Sequence, residues 1–375
     1  MNQENQKKAL IIATVSGFAA QFEMNHIQIL QERGYEVHYA ANFKNPHYGK
    51  DNSRLSGTGI FCHQVDFARS PFYIKSNGKA YFQLKKLMEK VSFQLVHCHT
   101  PVGGALGRIV ARKYQKKGTK ILYTAHGFHF YKGAPWLNWI LYFPVEWWLA
   151  RYTDVLITIN KEDFCLAKKW LPARKIEKIH GVGINREACQ NIIVDRERKR
   201  KELGVNPGDY LLVSVGELTK RKNHQIVLKA LGRLKQEGQR GNLCYLICGE
   251  GPEREHLYKL IEKEDLKGEV FLAGYRTDVR EILSVSDCFI FPSKQEGLPV
   301  ALMEAMAIGL PIICSDIRGN RDLLGNGKWL VKQSIKEYEK AIKEVMYSTK
   351  VKTELAITYD SKEVEKESRK IYNQI

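Results

Sequence analysis

Short apolar runs alternate along the chain with longer segments in which apolar positions recur every three or four residues. The short runs are rich in β-branched residues, as buried strands are, and the longer segments have the period of helices. This alternation predicts a parallel α/β protein. The predicted strands of the first half are Leu10–Val15, Glu36–Ala40, Leu95–His97, Lys120–Thr124 and Val155–Thr158. Those of the second half are Leu211–Val215, Cys244–Cys248, Val270–Leu272, Cys288–Phe291 and Pro311–Cys314.

Helical patterns lie between these strands, and a length of 375 residues suits two domains rather than one core. The predicted helices include Phe22–Arg33, Gly104–Lys116, His224–Gln236, Glu253–Lys263 and Val300–Ile308. Residues 186–206 are polar and charged, and we interpret them as a linker that runs into a short helix. The predicted division is a first domain of residues 1–185, a second of residues 186–360, and a C-terminal helix, 361–375. This helix has no strand after it, and packing against the first domain is one possible position for it.

Each half is predicted to form a Rossmann-like, doubly wound sheet with helices on both faces, and the two sheets are predicted to face a cleft. Sheets of this kind bind ligands beyond the carboxyl ends of their strands. Candidate functional residues are therefore sought in the loops that lead from a strand to the next helix.

Charge is unevenly distributed between the two halves. Residues 1–185 contain 26 Lys and Arg against 12 Asp and Glu, a formal charge of +14, whereas the rest of the chain carries only +4. Such a bias concentrates anionic partners, whether nucleic acid, anionic lipid or a phosphorylated substrate. A solvated basic surface is an equally ordinary interpretation.

Cysteine usage and the N-terminus point to the cytoplasm. The eight cysteines are scattered without a CxxC pair, so neither a disulfide framework nor a zinc site is expected. The first residues, MNQENQKK, are polar and do not resemble a signal peptide. No run of about 18 apolar residues is present, so no membrane-spanning segment is predicted.

The most specific motif follows the predicted strand Cys288–Phe291. It begins at Glu296, continues through Gly297, Leu298 and a proline, and ends at Glu304. A glycine there permits close approach of a ligand, and a proline suits the first turn of a helix. One carboxylate lies in the loop and the other one turn into the helix, where backbone N–H groups favour anionic or hydroxyl-rich ligands. The alternative is a surface glutamate followed by a capping glutamate.

This motif resembles the E-x7-E signature of the family 4 retaining glycosyltransferases, which have the GT-B fold of two Rossmann-like domains. Three further segments resemble loops of the donor domain in that family, and one resembles its histidine loop on the acceptor side. These segments are 215–225 (VGELTKRKNHQ), 248–252 (CGEGP), 272–276 (LAGYR) and 123–129 (YTAHGFH). The resemblance covers nearly the whole chain in the order of the family.

The resemblance implies a nucleotide-sugar donor as substrate and no cofactor. It implies that Glu304 binds the ribose hydroxyls and Glu296 the transferred sugar. The amides around Gly297 and Leu298 would help to hold the sugar, and Lys222 the diphosphate. A cation beside a diphosphate leaving group stabilises the charge that the group gathers. Read alone, Lys222 is an exposed basic turn residue.

One position departs from the family pattern. Where the family usually has an arginine after the glycine of the phosphate loop, this chain has Glu217, and Arg221 is the candidate replacement cation. On the acceptor side the resemblance places His126 near the reacting sugar, with His129 as the alternative. Gly17, at the end of the first strand, is a further candidate for contact with donor or acceptor.

No Asp-x-Asp pair and no metal-ligand spacing occurs in the sequence, so no metal is expected. Cationic side chains and helix amides would then take the place of a divalent ion at the diphosphate. The expected chemistry is displacement on one face of the sugar through an oxocarbenium-like transition state, with the departing phosphate taking the proton of the acceptor.

Residues 135–152 contain four of the six tryptophans: 136, 139, 147 and 148. Trp and Tyr favour the membrane interface, and nearby basic residues favour anionic headgroups. An aromatic core is the competing interpretation. Together with residues 126–133 (HGFHFYKG), this stretch also resembles transferases of bacterial surface-polysaccharide assembly. The implied acceptor is a glycan, in particular a polyprenyl-diphosphate-linked sugar, and the implied location is the inner face of the cell membrane.

The sequence is also compatible with other functions. A nucleotide-sugar epimerase or a phosphorylase can share the two-domain architecture. A basic nucleic-acid-binding protein is the alternative outside enzymes, but no recognition helix or aromatic RNA-binding strand is apparent.

Overall fold

The computed structural model describes residues 6–44, 48, 52–238, 242–348 and 352–375. The chain forms two compact units. The first comprises Met1–Val182 together with Glu363–Ile375, and the second comprises Gly183–Lys362. Residues 1–5, which include most of the polar N-terminal segment, lie outside the described residues.

The first unit contains a seven-stranded parallel sheet in the order β3-β2-β1-β4-β5-β6-β7. Its strands are β1 (Lys8–Val15), β2 (Glu36–Asn42), β3 (Phe61–Gln64), β4 (Leu95–His99), β5 (Lys120–Ala125), β6 (Val155–Thr158) and β7 (Lys175–Lys178). Its helices before the second unit are α1 (Met24–Glu32), α2 (Ile74–Lys90), α3 (Pro101–Ala111), α4 (Trp136–Ala150) and α5 (Lys161–Trp170). A π-helical turn, Ala19–Glu23, precedes α1.

The five strands predicted in this half are confirmed, because each is an apolar run buried on both faces of the sheet. The strands β3 and β7 were not predicted. They lie at the two edges of the sheet, and their sequences, FCHQ and KIEK, are short and largely polar. An edge strand needs no continuous apolar run, so pairing with β2 and β6 creates these strands without a clear sequence signal.

The second unit contains a six-stranded parallel sheet in the order β10-β9-β8-β11-β12-β13. Its strands are β8 (Tyr210–Val215), β9 (Leu243–Cys248), β10 (Val270–Gly274), β11 (Cys288–Phe291), β12 (Ile312–Ser315) and β13 (Leu330–Val331). Its helices are α6 (Arg186–Gln190), α7 (Arg196–Glu202), α8 (Gln225–Gln236), α9 (Arg254–Lys263), α10 (Val279–Val285), α11 (Val300–Ile308), α12 (Arg318–Leu324) and α13 (Ile335–Tyr347). The five predicted strands are again confirmed, and the two-residue edge strand β13 is the one that was missed.

The interpretation of residues 186–206 as a linker is wrong, because this segment forms α6 and α7 of the second unit. Two of its basic residues are held by ion pairs within that unit. Lys199 is largely buried and lies 2.5 Å from Asp278, and Arg200 lies 3.0 Å from Asp287. Charge and polarity here reflect packing through ion pairs, which composition alone does not distinguish from a linker.

The final helix, α14 (Ser361–Tyr372), begins in the second unit and continues in the first. Its buried residues include Ser368 and Tyr372, whose hydroxyl groups bond His26 and His97 of the first unit. Glu367 accepts hydrogen bonds from the backbone and ring nitrogens of His180. The last residues therefore complete the packing of the first unit.

Both sheets have the strand order of a doubly wound, Rossmann-like fold, which confirms the predicted fold class. The order reverses between β1 and β4 in the first unit and between β8 and β11 in the second. Ligands of such sheets bind at the carboxyl ends of the strands beside these switch points.

Candidate functional site

At the switch point of the second unit, the loops after β8 and β11 bring together residues that lie far apart in sequence. The carboxylate of Glu296 accepts from Lys222 Nζ and from Arg221 Nη1, both at 2.8 Å. Ser293 Oγ donates to the same oxygen, Oε1. Glu296 and Lys222 are each almost buried, with 11% and 12% of the side chain exposed, whereas Arg221 is 43% exposed.

Electrostatics keep this glutamate ionised. Burial disfavours its charged form, but the nearby charges of Lys222 and Arg221 and its hydrogen bonds outweigh that cost, so the pKa of Glu296 lies below its ordinary value. The side chain of Lys222 also lies over the ring of Phe291, with Nζ 4.7 Å from its centroid. One carboxylate faces two cations, which leaves a surplus of positive charge at the carboxyl end of the sheet.

Glycines around this loop allow backbones to touch, a feature that the sequence motifs did not single out. A Cβ on Gly249 would lie 1.9 Å from the carbonyl oxygen of Gly216, and one on Gly319 would lie 2.4 Å from the carbonyl oxygen of Gly297. At Gly216, whose φ is +155°, a Cβ would meet the side chain of Lys222 at 3.0 Å. Side chains larger than hydrogen at these positions would displace the loops that hold Lys222 and Glu296.

The second glutamate of the motif lies in the second turn of α11, as predicted. Oε1 of Glu304 accepts from Arg280 Nε at 3.0 Å, and 15% of the Glu304 side chain is exposed. The helix begins directly after Pro299, which has no side-chain polar group to cap it. Gly297 and Leu298 therefore form the approach to a helix start whose first N–H groups point toward the loop. No sequence motif indicated Arg280, since it lies on another helix, α10.

At the switch point of the first unit, His126 meets two residues that the sequence did not indicate. Nε2 of His126 lies 3.2 Å from Nδ1 of His99, at the end of β4. Oε1 of Glu23, the last residue of the π-helical turn, lies 3.3 Å from that Nδ1 and 3.7 Å from Nε2 of His126. Glu23 and His99 are fully buried, whereas 24% of the His126 side chain is exposed.

Buried hydrogen bonds extend from this cluster toward α14. Oε2 of Glu23 lies 2.6 Å from Nδ1 of His26, whose Nε2 contacts Ser368 Oγ at 2.9 Å. Nδ1 of His97 lies 2.8 Å from the hydroxyl of Tyr372. Burial lowers the pKa values of His97 and His99 well below the ordinary histidine value, and it lowers that of His126 as well, so neutral imidazoles are favoured.

The backbone beside the cluster is strained. Thr100 follows His99 with φ of 63° and ψ of 156°, a combination that residues with a Cβ rarely adopt. The hydroxyl of Thr100 bonds that of Thr14 at 2.7 Å, which holds the loop onto β1. Strained residues concentrate at functional sites. Gly17 is buried and lies in helical backbone between β1 and the π-helical turn that carries Glu23.

The structure separates the two candidate histidines. His129 stacks on Tyr142 of α4, with ring centroids 4.6 Å apart, and its carbonyl accepts from the side chain of Asn138. His126 instead packs edge-on against Phe18 beside the buried cluster, with ring centroids 5.0 Å apart. His126 is therefore the histidine at the switch point, and His129 belongs to the packing of α4.

The aromatic helix α4 turns an apolar face outward. The exposed residues on this face are Trp136, Leu137, Ile140, Leu141, Val145, Trp147 and Trp148. The opposite face is fixed by a buried ion pair, in which Arg108 of α3 donates two hydrogen bonds to Glu146. Trp139 packs against Phe130 and Phe143 on this inner side. The core interpretation thus holds for Trp139 but not for the other three tryptophans.

Within the part of the chain that the structure describes, no helix is both long enough and apolar enough to cross a bilayer.

The chain matches two family models that together span most of its length. Residues 9–160 match a model described as glycosyl transferase 4-like, and residues 195–362 match one described as glycosyl transferases group 1. The putative glycosyltransferase EpsD of Bacillus subtilis (strain 168) is 39% identical over 327 residues, which cover 86% of this chain and 82% of EpsD. The chain belongs to the group 1 glycosyltransferases.

Two further similarities describe relatives of this glycosyltransferase. The UDP-Gal:alpha-D-GlcNAc-diphosphoundecaprenol alpha-1,3-galactosyltransferase of Escherichia coli is 32% identical over 309 residues, covering 81% of this chain and 77% of that protein. The crystal structure of Anabaena Alr3699/HepE in complex with UDP and glucose matches with a TM-score of 0.75 at 15% identity. It covers 99% of the glycosyltransferase and 100% of that chain, and it supports the GT-B fold.

Proposed function

We propose that this glycosyltransferase transfers a hexose from a UDP-sugar to a polyprenyl-diphosphate-linked glycan, with retention of configuration, in the synthesis of a surface polysaccharide. The main support is the pair of salt bridges from Glu296 to Lys222 and Arg221 at the switch point of the second unit. The E. coli relative, whose name specifies a UDP-sugar donor and a lipid diphosphate acceptor, supports these substrate classes.

The second unit supplies the donor-binding groups of this proposal. Lys222 and Arg221 bind the diphosphate and stabilise the charge that it gathers as it leaves, in the role that a divalent ion has elsewhere. In this assignment Arg221 replaces the family arginine whose position is occupied by Glu217. Glu296 accepts hydrogen bonds from the sugar, with the amides of Gly297 and Leu298 beside it, and Glu304 accepts from the ribose.

The proposed reaction takes place on one face of the sugar. The acceptor hydroxyl oxygen forms a bond to the anomeric carbon as the bond from that carbon to the diphosphate oxygen breaks. The departing phosphate oxygen takes the proton of the hydroxyl group, so no protein base is required. In the first unit, we assign His126 to contact with the reacting sugar and Gly17 to close approach of the backbone to the substrates.

We also propose that the protein acts as a peripheral protein on the anionic inner face of the cell membrane. The outward apolar face of α4 supports this, because exposed tryptophans favour the lipid interface. Arg151 lies over Trp147 at 3.3 Å and Arg112 over Trp148 at 5.0 Å, so cations accompany the rings. The charge of +14 on residues 1–185 adds attraction to anionic lipid.

The deciding experiment incubates the purified protein with a panel of UDP-sugars and a synthetic polyprenyl diphosphate that carries one sugar. We expect UDP release that depends on the acceptor, together with a lipid-linked product one hexose heavier by mass spectrometry. NMR of this product should show that the anomeric configuration of the donor is retained. The Lys222→Ala variant, matched by the exposed Lys263→Ala, should lose about 100-fold or more of this activity.

Other outcomes would point to the alternative enzymes. Interconversion of donor sugars without an acceptor would indicate an epimerase, and sugar transfer to or from free phosphate would indicate a phosphorylase. An inverted product would contradict the retaining mechanism.

A further inference from the structure

The cluster of Glu23, His99 and His126 in the first unit has the geometry of a metal site. Its three facing atoms are Glu23 Oε1, His99 Nδ1 and His126 Nε2, separated by 3.3, 3.7 and 3.2 Å. Zinc binds carboxylate oxygen and imidazole nitrogen at about 2.0–2.2 Å, which for tetrahedral geometry places neighbouring ligand atoms about 3.3–3.6 Å apart. The three observed separations lie within about 0.1 Å of this range.

We propose that Glu23, His99 and His126 bind one zinc ion, with the fourth ligand position open to water or a hydroxyl oxygen. Two imidazoles and one carboxylate with an open position form a donor set used by zinc in proteins. Of the three ligands, His126 is the one that is partly exposed to solvent.

The burial of Glu23 supports this assignment independently of the distances. A fully buried carboxylate is costly unless cations or hydrogen-bond donors compensate it. Its Oε2 is held by His26, but among the described residues its Oε1 has no hydrogen-bond partner, although it faces two imidazoles. A bound cation would complete the environment of this oxygen.

The surroundings of the cluster fix the proposed ligands. His26 orients the carboxylate and is itself held by Ser368 of α14, an outer hydrogen bond of the kind that tunes metal ligands. Glu23 lies in a π-helical turn, an irregularity that occurs frequently at functional sites. The ligands lie far apart in the sequence and come from three elements, which is why no ligand spacing is visible there.

A second group of the same residue types, Glu36, His38 and His63, is the internal control. Glu36 bonds Nε2 of His38, and His63 bonds the opposite nitrogen, Nδ1. The three residues form a linear chain through the two sides of one ring, so their ligand atoms do not converge. Among the described residues, the Glu23 cluster is the group whose ligand atoms converge for a metal.

The test is zinc binding by the full-length protein after dialysis against a chelator. We expect titration calorimetry with zinc chloride to give one equivalent per chain, and elemental analysis after gel filtration to retain it. Cobalt(II) in place of zinc should give the visible absorption bands of tetrahedral coordination. Glu23→Gln and His126→Asn should each weaken zinc binding at least about tenfold, whereas His63→Asn should leave it unchanged.

A wild-type protein that binds no stoichiometric zinc would overturn the proposal. Zinc bound equally well by the Glu23→Gln and His126→Asn variants would also overturn it, since the ion would then lie elsewhere. His126 is partly exposed, so His126→Asn keeps the test valid if loss of the buried Glu23 charge unfolds the protein. Metal content and absorption are measured without turnover, so this result is independent of the proposed transfer reaction.

Discussion

Three side chains at the carboxyl end of β11 and the loop after β8 define the chemistry of the second unit. Glu296 is ionised because Lys222 and Arg221 lie beside it, and the same contacts hold the two cations in place. A cation held in a preformed position stabilises developing charge without reorganisation during the reaction. These two cations supply the positive charge that the proposed diphosphate binding requires in the absence of an Asp-x-Asp pair.

The two glutamates of the motif should differ in kinetic effect. Glu304→Ala and Glu296→Ala should each remove most of the transfer, by about 100-fold in kcat/KM. Glu304→Ala should act chiefly by raising KM for the nucleotide sugar, because ribose contacts persist from the ground state to the transition state. Glu296→Ala should chiefly lower kcat, because its proposed contact is with the sugar that reacts.

Initial rates over a range of donor concentrations measure both effects. The exposed Glu255→Ala serves as the matched control, and unchanged melting temperatures would show that the fold is intact. Turnover near the wild-type value in either motif variant would contradict the assignment of the donor site.

Transfer should require no added magnesium or manganese, because the proposed mechanism gives Lys222 and Arg221 the role of a divalent ion at the diphosphate. Rates measured in the presence and absence of each ion should agree within about twofold. Activity that is lost on chelation and restored by magnesium or manganese would refute this mechanism. If only zinc restored the activity, the result would instead indicate the zinc site proposed in the first unit.

At the scale of elements, α4 shows how one buried pair orients a hydrophobic helix. Mean hydropathy along α4 is high on both sides, so its sequence cannot indicate which side is buried. The bidentate contact between Arg108 and Glu146 fixes the inner side and leaves Trp147 and Trp148 at the surface, 40% and 37% exposed. Large exposed apolar faces indicate interaction with a partner or a membrane.

The double variant Trp147→Ser/Trp148→Ser should therefore weaken binding to anionic liposomes with little change in melting temperature. Trp139→Ser is the matched variant on the inner face, and it should destabilise the first unit by about 3 kcal/mol because its ring is packed. Sedimentation with liposomes beside a melting curve separates the two effects.

Binding of the wild-type protein to anionic liposomes should also fall as the salt concentration rises. A wild-type protein that ignores anionic liposomes at low salt would contradict membrane docking.

At the scale of the whole molecule, the chain starts in the first unit, forms the second, and returns to the first through α14. Tyr372 is buried at the end of this return and bonds His97 on β4, next to the strand end that carries His99. The last residues of the chain thus stabilise the strands that position the cluster of Glu23, His99 and His126.

Tyr372→Phe should lower stability by about 1–3 kcal/mol, because His97 would lose the partner of a buried ring nitrogen. The shift is measured as a decrease in the thermal midpoint. Tyr347→Phe, at a tyrosine that is 78% exposed, controls for loss of a hydroxyl group and should leave the midpoint unchanged. Equal midpoints for the Tyr372→Phe variant and the wild type would show that this contact contributes nothing.

The parallel α/β fold and ten of its strands followed from the local pattern along the chain, because strands of a sheet that is covered on both faces are mostly apolar runs. The sequence also determined that Glu296 and Glu304 flank the start of α11, since loop, proline and helix follow one another along the chain. Edge strands such as β3 lacked that signal, and the ion-paired helices of residues 186–206 looked like a linker.

Contacts between residues that are distant in sequence depend on the folded arrangement of the elements. Glu23 and His99 join His126 because β1, β4 and β5 are neighbours in the sheet, an order that crossover connections set and no local pattern records. The pairing of Arg280 with Glu304 and the backbone contact at Gly249 likewise depend on packing between elements. The outward face of α4 depends on partners of its inner face from outside the helix, such as Arg108 and Phe130, because burial is a property of the folded neighbours and not of the segment itself.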